Sequence, residues 1–445
     1  MTTPFRRCVL LVILTAGVLS AADPPRSTSE SVRATVKKLW SNKPDEVGTA
    51  YERLEADPLA LPVLRIASVT DPDVGHRGVL ERLVRTAEKG RDPELANRIE
   101  RWAADGRIDL LIEVRTSSDG KAADAALTAL IDAGQNLRRA GEDIATAHLP
   151  KSSHQFLGRL PGPDRAAFDK SKVTLQFDAE ITLPEKRQRD RLALFADRLR
   201  VPTNRFDRSI LVARSELDAT PIKDGCWWTG CLLFANAPFP LGRASGCVVV
   251  VDGDLDLSGP EAGGAGSVLV VNGDVRGGGG ERGPAISGCV VWATGDIRLK
   301  PNHTTGQSVY QAAGTVDEPD GMLLHGRSWS NVKEPPLPVR FLDPAADYGL
   351  TLEATKGGMK VTKVTEKSAF AEVLKAGDVI SAVTGVKTPT APAFRREFRR
   401  GVVEGAVLLD VVRGKETLEL LVPVPDVPTA PKKDKEPKAT PPEKK

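Results

Sequence analysis

The sequence predicts a multidomain chain with a helical N-terminal region, a short parallel β-helix in the middle and a C-terminal α+β module. Apolar residues recur at helical spacing up to about residue 145, valine-rich segments then repeat about every 20 residues, and a last stretch of about 80 residues mixes strand and helix patterns. With 445 residues, of which 40% are hydrophobic, the chain can bury several cores.

The first 22 residues, MTTPFRRCVLLVILTAGVLSAA, have the pattern of a secretory signal peptide. Two arginines precede an apolar run from Cys8 to Leu19, and small residues end the segment. The run is shorter than the roughly 20 residues that span a bilayer, and an uncleaved anchor is the alternative. We therefore predict a secreted or periplasmic protein that spans no membrane after cleavage. Association with the cell envelope is compatible with this prediction.

The charge and the metal-binding residue types exclude several classes of function. Lysine and arginine total 62 against 59 acidic residues, so the net charge of +3 gives no reason to expect nucleic acid as a partner. The five histidines are scattered and no Cys-x-x-Cys pair occurs, so we predict no metal site and no cofactor.

Residues 27–145 are predicted to be helical because apolar residues such as Val32, Val36 and Leu39 follow helical spacing. Helix starts are predicted where a capping carboxylate precedes a proline, at Asp57-Pro58, Asp71-Pro72 and Asp92-Pro93. Short helices joined by tight turns indicate either a stack of hairpins of the HEAT type or a single helical domain.

Residues 165–205 are predicted to lead into the solenoid as a strand and a helix. Apolar and polar residues alternate in VTLQFDAEITL, residues 173–183, which predicts a half-buried strand. The following EKRQRDRLALFADRL, residues 185–199, is predicted to be a charged amphipathic helix.

Six rows appear when the chain is aligned on a small residue that precedes an apolar run. They are SILVARSEL from Ser209, CLLFANAPF from Cys231, CVVVVDGDL from Cys247, SVLVVNGDV from Ser267, CVVWATGDI from Cys289 and SVYQAAGTV from Ser308. The first column holds only Ser or Cys, and the ninth only apolar residues. Fixed columns at this period indicate stacked coils, and valine-rich runs indicate strands. We therefore predict a parallel β-solenoid over residues 206–335.

The row pattern and the coil length resemble those of bactofilin-like, polymer-forming β-solenoids. The resemblance covers about a quarter of the chain. It implies self-association through the solenoid ends and a structural role.

The first column also bears on the cysteines. Cys231, Cys247 and Cys289 alternate with serines there, so the position requires only a small residue, and free buried thiols are favoured over disulfides. Cys226 lies outside the column and is the candidate exception.

The rows stack Asp254, Asp274 and Asp296 in one column, where like charges would repel. A bound cation would relieve the repulsion, and so would Arg276 and Arg298, which are two positions further along the strands. Because Gly-Asp is also a turn sequence, we favour a structural corner neutralised by arginine.

The same carboxylates and arginines suggest an alternative. Right-handed β-helices include polysaccharide lyases and hydrolases that place acidic and basic side chains along one face. Asp274, Asp296, Arg276 and Arg298 would form such a set, with the C-terminal module as a targeting device.

The C-terminal module, residues 345–424, alternates strand and helix patterns. Strands are predicted at Leu350 to Glu353, Met359 to Val364 and Asp378 to Val383, followed by a helix at Ala391 to Arg400 and a hairpin that turns at Arg413-Gly414. The proline- and lysine-rich tail, residues 425–445, is predicted to be disordered.

Two motifs in this module, Tyr348-Gly349-Leu350-Thr351-Leu352 and Leu374-Lys375-Ala376-Gly377-Asp378-Val379-Ile380, resemble those of bacterial PDZ domains. The resemblance implies a partly open β-barrel that binds a protein C-terminus or an extended peptide as an added strand. Carried over by position, the peptide-binding residues would be Tyr348, Gly349, Leu350, Thr351 and Leu352, with Phe394 and Phe398 as the wall of a side-chain pocket.

The predicted helix of this module carries Arg395, Arg396, Arg399 and Arg400. We predict that they form a solvated basic face, with selection of acidic peptides or contact with a membrane surface as alternatives.

No Gly-x-Ser-x-Gly or His-Glu-x-x-His motif supports a protease. We therefore favour a non-enzymatic interaction or scaffold protein whose C-terminal module binds a partner's peptide. The polysaccharide-active enzyme and the self-assembling solenoid are the alternatives.

Overall fold

The computed structural model describes residues 28–90, 92–117, 120–148, 174–175, 180–184, 188–202, 205–218, 226–259, 262–277, 285–299, 308–317, 327–329 and 337–427. The predicted signal peptide, residues 1–22, and residues 428–445 of the predicted tail lie outside these ranges. All structural statements below concern the described residues.

The N-terminal region is helical, as predicted. Its helices are α1 (Ser29–Lys38), α2 (Pro44–Ala56), α3 (Leu61–Thr70), α4 (Val74–Gly90), α5 (Asp92–Ala104), α6 (Ile108–Ser117) and α7 (Lys121–His148).

Two of the predicted helix starts in this region are wrong. Asp57 and Asp71 end α2 and α3, and their carboxylates accept the backbone N–H groups of Leu59 and Asp73 in the turns that follow. Aspartate caps such a turn as readily as a helix, and α3 and α4 therefore begin several residues later than predicted. The third prediction is confirmed, because α5 begins at Asp92.

The middle region is a parallel β-solenoid, as predicted. Its strands are β1 (Thr174–Leu175), β2 (Glu180–Thr182), β3 (Arg189–Asp190), β4 (Ala193–Arg200), β5 (Arg205–Asp207), β6 (Ile210–Asp218), β7 (Trp227–Thr229), β8 (Leu232–Ala235), β9 (Phe239–Pro240), β10 (Arg243–Ser245), β11 (Val248–Val251), β12 (Leu255–Leu257), β13 (Gly263–Ala265), β14 (Val268–Val271), β15 (Val275–Gly277), β16 (Ala285–Ser287), β17 (Val290–Ala293), β18 (Ile297–Leu299), β19 (Val309–Ala312), β20 (Val316–Asp317) and β21 (Arg327–Trp329).

Three parallel sheets form the sides of the solenoid. Sheet I contains β1, β2, β4, β6, β8, β11, β14, β17, β19 and β21. Sheet II contains β3, β5, β7, β10, β13 and β16, and sheet III contains β9, β12, β15, β18 and β20.

The pairing in sheet I confirms the alignment of the six rows. The second residue of each row pairs with the second residue of the next, in the order Ile210, Leu232, Val248, Val268, Val290 and Val309. The ninth column pairs in sheet III from Phe239 to Val316. Leu217 of the first row departs from it, because Leu217 pairs with Leu199 in sheet I.

The solenoid begins earlier than the predicted residue 206, and the predicted helix at 185–199 is wrong. β4 lies in that segment and pairs with β6 in register. Phe195 packs outside the sheet against the helices, whereas Leu194 packs inside the solenoid. Because both faces of the strand are covered, its apolar residues form a continuous run without the alternation that identifies a half-buried strand.

The C-terminal module contains an antiparallel sheet and a long helix. Its elements are α8 (Pro344–Tyr348), β22 (Leu350–Thr355), β23 (Gly358–Val364), β24 (Val379–Val383), β25 (Val386–Lys387), α9 (Ala391–Glu404), β26 (Ala406–Arg413) and β27 (Glu416–Pro423). The sheet order is β22-β23-β24-β26-β27, and β25 pairs with β24.

The three parts of the chain pack on one another. α7 crosses the outer face of sheet I closely, since a Cβ at Gly134 would lie 2.7 Å from Leu232 Cδ2 and one at Gly141 would lie 2.5 Å from Val268 Cγ2. Leu408 of β26 joins the core of α1 to α4. The helical region therefore contacts both the solenoid and the C-terminal sheet.

Candidate functional site

The corner between α8 and β22 is the first part of the candidate site. Gly349 ends α8 in the left-handed conformation, with φ of 66°, and its N–H donates to the carbonyl of Ala345. A side chain is excluded there, because a Cβ would lie 2.0 Å from Thr365 Oγ1. Arg107 holds α8 in place with two hydrogen bonds to Asp347, of 2.9 and 2.6 Å. The corner is thus shaped by glycine and fixed by a buried ion pair.

The outer edge of β22 is the second part. One edge of β22 pairs with β23, and within the described residues no strand pairs with the other. Leu350 is buried, Leu352 is half-buried, and Thr351 and Glu353 are exposed. An edge strand of this kind presents a row of backbone N–H and C=O groups to a further strand.

A surface pocket of about 440 Å³ adjoins this corner. It is lined by α8, by Gly349, by the segment from Thr365 to Ala369 and by Pro425 and Asp426. Lys367 is one of the residues that line it. The pocket, the corner and the start of β22 therefore lie at one end of the strand.

The aromatic residues predicted to wall a peptide pocket lie in the core of the module. Phe394 and Phe398 are only 1% and 0% exposed, and their rings stack with centroids 5.3 Å apart. Tyr348 packs edge-on against Phe398 and donates its hydroxyl proton to the carbonyl of Pro425. Burial raises the pKa of the Tyr348 phenol above its usual value. Because Tyr348 directly precedes Gly349, this buried aromatic cluster packs next to the corner.

The four arginines of α9 do not form the predicted solvated face. Arg399 is fully buried and binds Asp109 of α6 at 2.8 Å and Asp252, which follows β11. Arg395 also binds Asp252, at 3.2 Å. Arg395 and Arg399 thus face the other two parts of the chain, whose carboxylates compensate their charge, whereas Arg396 and Arg400 pair with Glu397 and Glu404 of α9 itself.

A second buried cluster of charged side chains, one from each part, joins the same three parts. Arg214 of β6 donates to Glu113 of α6 and to Glu397 of α9, each at 2.8 Å. Burial raises the pKa of the Glu113 carboxyl. Burial acts in the same direction on Asp252 and Glu397, but the neighbouring guanidiniums outweigh it and hold their pKa values below the usual range.

Sequence reasoning missed this network, although a signal was present. Asp109 and Glu113 are four residues apart in the apolar helix IDLLIEV, and Arg214 directly follows the apolar run ILVA. A charge inside an apolar segment requires a partner if the segment is buried. The partners could not be identified from sequence, because they lie in other parts of the chain.

The aspartate column of the solenoid forms corners. Oδ1 of Asp254 accepts the backbone N–H of Asp274 at 3.0 Å, and Oδ1 of Asp274 accepts that of Asp296 at 2.9 Å. Arg276 lies 3.0 and 3.1 Å from Oδ2 of Asp254 and Asp274, and Arg298 binds Asp296. Each aspartate of the column is thus paired with an arginine, with two guanidiniums for three carboxylates.

The first column is a ladder of small acceptors. Oγ of Ser267 accepts the N–H of Cys247 at 3.1 Å, and Sγ of Cys247 accepts the N–H of Cys231 at 3.4 Å. The four cysteines of the described chain, Cys226 included, are buried and none of them is in a disulfide. The prediction of buried, unbridged thiols in the column is confirmed.

No protein-family model matches the chain, and neither the curated proteins nor the solved structures searched include a significant match. Among the described residues, no helix is long and apolar enough to cross a membrane. In the same part of the chain, no group of three or more His, Cys, Asp or Glu side chains is placed to hold a metal ion.

Proposed function

We propose that the chain is a non-enzymatic interaction or scaffold protein whose C-terminal module, of PDZ type, binds a partner's C-terminal or extended peptide as an added strand. The observation that supports this proposal is the outer edge of β22, which no strand of the described chain pairs with and which begins at the left-handed corner Gly349. In this mode main-chain hydrogen bonds supply the affinity, and side-chain contacts supply the specificity.

The direction of the peptide follows from the corner. A peptide strand antiparallel to β22 would bring its C-terminus to Gly349 and to the pocket beside it. Leu350 and Leu352 would then lie next to the last residues of the peptide, and Thr351 and Glu353 would contact its exposed side chains.

The remainder of the chain gives the proposed site a fixed position. α9 is bound through Arg399 to α6 and to the solenoid. α8 is bound through Asp347 to Arg107, the residue before α6. A captured peptide would therefore have one orientation relative to the solenoid. This geometry suits a scaffold, which must hold a partner in a defined place.

A screen of peptides with free C-termini tests the proposal with the full chain. The strongest binder is then synthesised with a single N-methyl group at each residue in turn. An added strand donates through alternate amides, so alternate positions should lose affinity by roughly tenfold or more, the effect of about one hydrogen bond.

A pair of exposed edge-strand threonines provides the matched variants. Thr351→Asp places a negative charge beside the proposed end of the peptide and should weaken binding, whereas Thr417→Asp on β27 should not. Phe394→Asp is unsuitable because Phe394 is buried in the core. Absence of any binder, or equal effects of N-methylation at every position, would refute the proposal.

A further inference from the structure

Sheet II of the solenoid presents an unusual row of side chains on its outer face. The outward positions Arg205, Trp227 and Arg243 pair side by side on β5, β7 and β10. Trp227 is 38% exposed and is the only aromatic residue among the strongly exposed large hydrophobic residues of the described chain. The outer face of sheet I, in contrast, is covered by helices. Tryptophan and arginine are enriched at binding surfaces, so an exposed indole between two arginines is a candidate contact for a ligand.

The geometry of the row resembles a small platform. The guanidinium of Arg243 lies 4.9 Å from the centroid of the Trp227 ring, and no described acidic side chain forms an ion pair with Arg243. Arg205 is 51% exposed and forms an ion pair with Asp207 at 3.3 Å. Two strand spacings, about 9.6 Å, separate the backbones of the two arginines. The guanidinium of Arg243 thus lies over one face of the indole, and Arg205 carries a second cation on the neighbouring strand.

Two further arginines occupy corners at the edge of sheet II. The backbone N–H at this corner donates to the next coil in five successive coils, at Arg191, Arg208, Gly230, Gly246 and Gly266. All five residues, and Gly288 after them, are in the left-handed conformation. Arginine is strained there and glycine is not, so the first two coils keep a cation at a conformational cost.

Among the described residues of sheet II and its corners, positive charges outnumber negative ones. The positive residues are Arg189, Arg191, Arg205, Arg208 and Arg243, and the negative residues are Asp190 and Asp207. Arg208 is paired with Asp190 at 2.9 Å and Arg205 with Asp207 at 3.3 Å, whereas no described acidic side chain forms an ion pair with Arg243.

We propose that this surface, defined by Arg205, Trp227 and Arg243, binds a carboxylated polysaccharide. The indole would stack on the C–H face of one sugar ring through the ring face that Arg243 does not cover, and the two guanidiniums would bind carboxylates on either side of it. A single-stranded nucleic acid fits less well, because its binding grooves offer several aromatic rings for successive bases along a continuous basic track. The proposed site is independent of the peptide edge at β22.

Isothermal titration with a hexamer of galacturonic acid tests the site in the full chain. Its methyl ester, which has the same rings without the charges, is the matched ligand. The acid should bind and weaken as salt is added, and the ester should bind at least tenfold more weakly, in keeping with the loss of a charge-assisted hydrogen bond.

Three variants locate the binding. Trp227→Ala and Arg243→Gln should each weaken binding of the acid by roughly tenfold or more, while Arg276→Gln, an exposed arginine on sheet III, should leave it unchanged. Circular dichroism of each variant confirms that the solenoid is intact.

Three results would overturn the proposal. They are failure of the folded wild-type protein to bind the acid, equal binding of acid and ester, and equal binding by the folded Arg243→Gln and wild-type proteins. Tighter binding of an oligothymidylate than of the acid, lost in Trp227→Ala, would also overturn it and assign the surface to nucleic acid.

Discussion

Nε of Arg399 lies 2.8 Å from Oδ2 of Asp109, and neither side chain is exposed to solvent. The same guanidinium binds Asp252 of the solenoid, so one cation of the C-terminal module is shared by carboxylates from the other two parts of the chain. Separating the three parts would leave these buried charges unpaired or force their rehydration. The buried Arg399 side chain thus joins the three parts of the chain, in addition to apolar packing.

We predict that Arg399→Met strongly destabilises the protein. Two buried carboxylates would lose their common partner, and breaking a buried pair in this way costs about 3–5 kcal/mol. Arg33→Met is the control, because Arg33 is 41% exposed, pairs with the partly exposed Glu419 and should contribute about 1 kcal/mol or less. Urea unfolding measures both free energies, and equal losses would contradict the role assigned to Arg399.

We predict that acid destabilises the wild-type protein more steeply than Asp252→Asn. Burial favours the neutral form of Asp252, but Arg399 and Arg395 outweigh it and hold the folded-state pKa below the ordinary 3.8. The stability that this group contributes is present above pH 3.8 and is lost as the pH falls through the lower folded-state pKa. Urea midpoints between pH 7 and pH 2.5 test this, and parallel curves for the two proteins would be inconsistent with it.

We predict that Asp274→Asn is nearly neutral and that Asp274→Ala is not. Asparagine keeps the oxygen that accepts the N–H of Asp296, whereas alanine removes it and should cost about 1 kcal/mol. Thermal and urea unfolding of the pair check the corner role. If the asparagine variant were the less stable of the two, the charge and not the acceptor would be the important feature.

We predict that Ser267 can be replaced by cysteine but not by alanine. Ser267→Ala would leave the buried N–H of Cys247 unpaired, at a cost of about 1–3 kcal/mol. Ser267→Cys keeps a weaker acceptor, in the way that Cys247 accepts from Cys231. Unfolding free energies compare the variants, and equal stability of the two would show that the column requires only small size.

Much of the solenoid could be predicted because its information is local and repeated. The rows that start at Cys247 and Ser267 align without a gap in the sequence. Their strands pair in that same register because each coil buries its apolar face only on its neighbours. The strand β4 was missed because its charged N-terminal flank and its continuous apolar run fit an amphipathic helix equally well. Only its pairing with β6 distinguishes the two.

The candidate site was predicted in part. The corner at Gly349 was identified from its motif, and the structure adds that one edge of β22 has no partner strand among the described residues. The role of the α9 arginines could not be predicted, because the partners of Arg399 lie 290 and 147 residues away in the sequence. Spacing along one helix carries no information about such distant groups.

The sequence by itself determined the helical, solenoid and α+β parts and the columns of small residues and corner aspartates, because helical and strand periods and coil repeats act over short stretches of chain. The tertiary structure alone decided which faces are covered, which charges are paired and which edges and rings are exposed. These properties depend on how distant parts of the chain meet. Burial is what turns an arginine such as Arg399 from a solvated charge into the link between three modules.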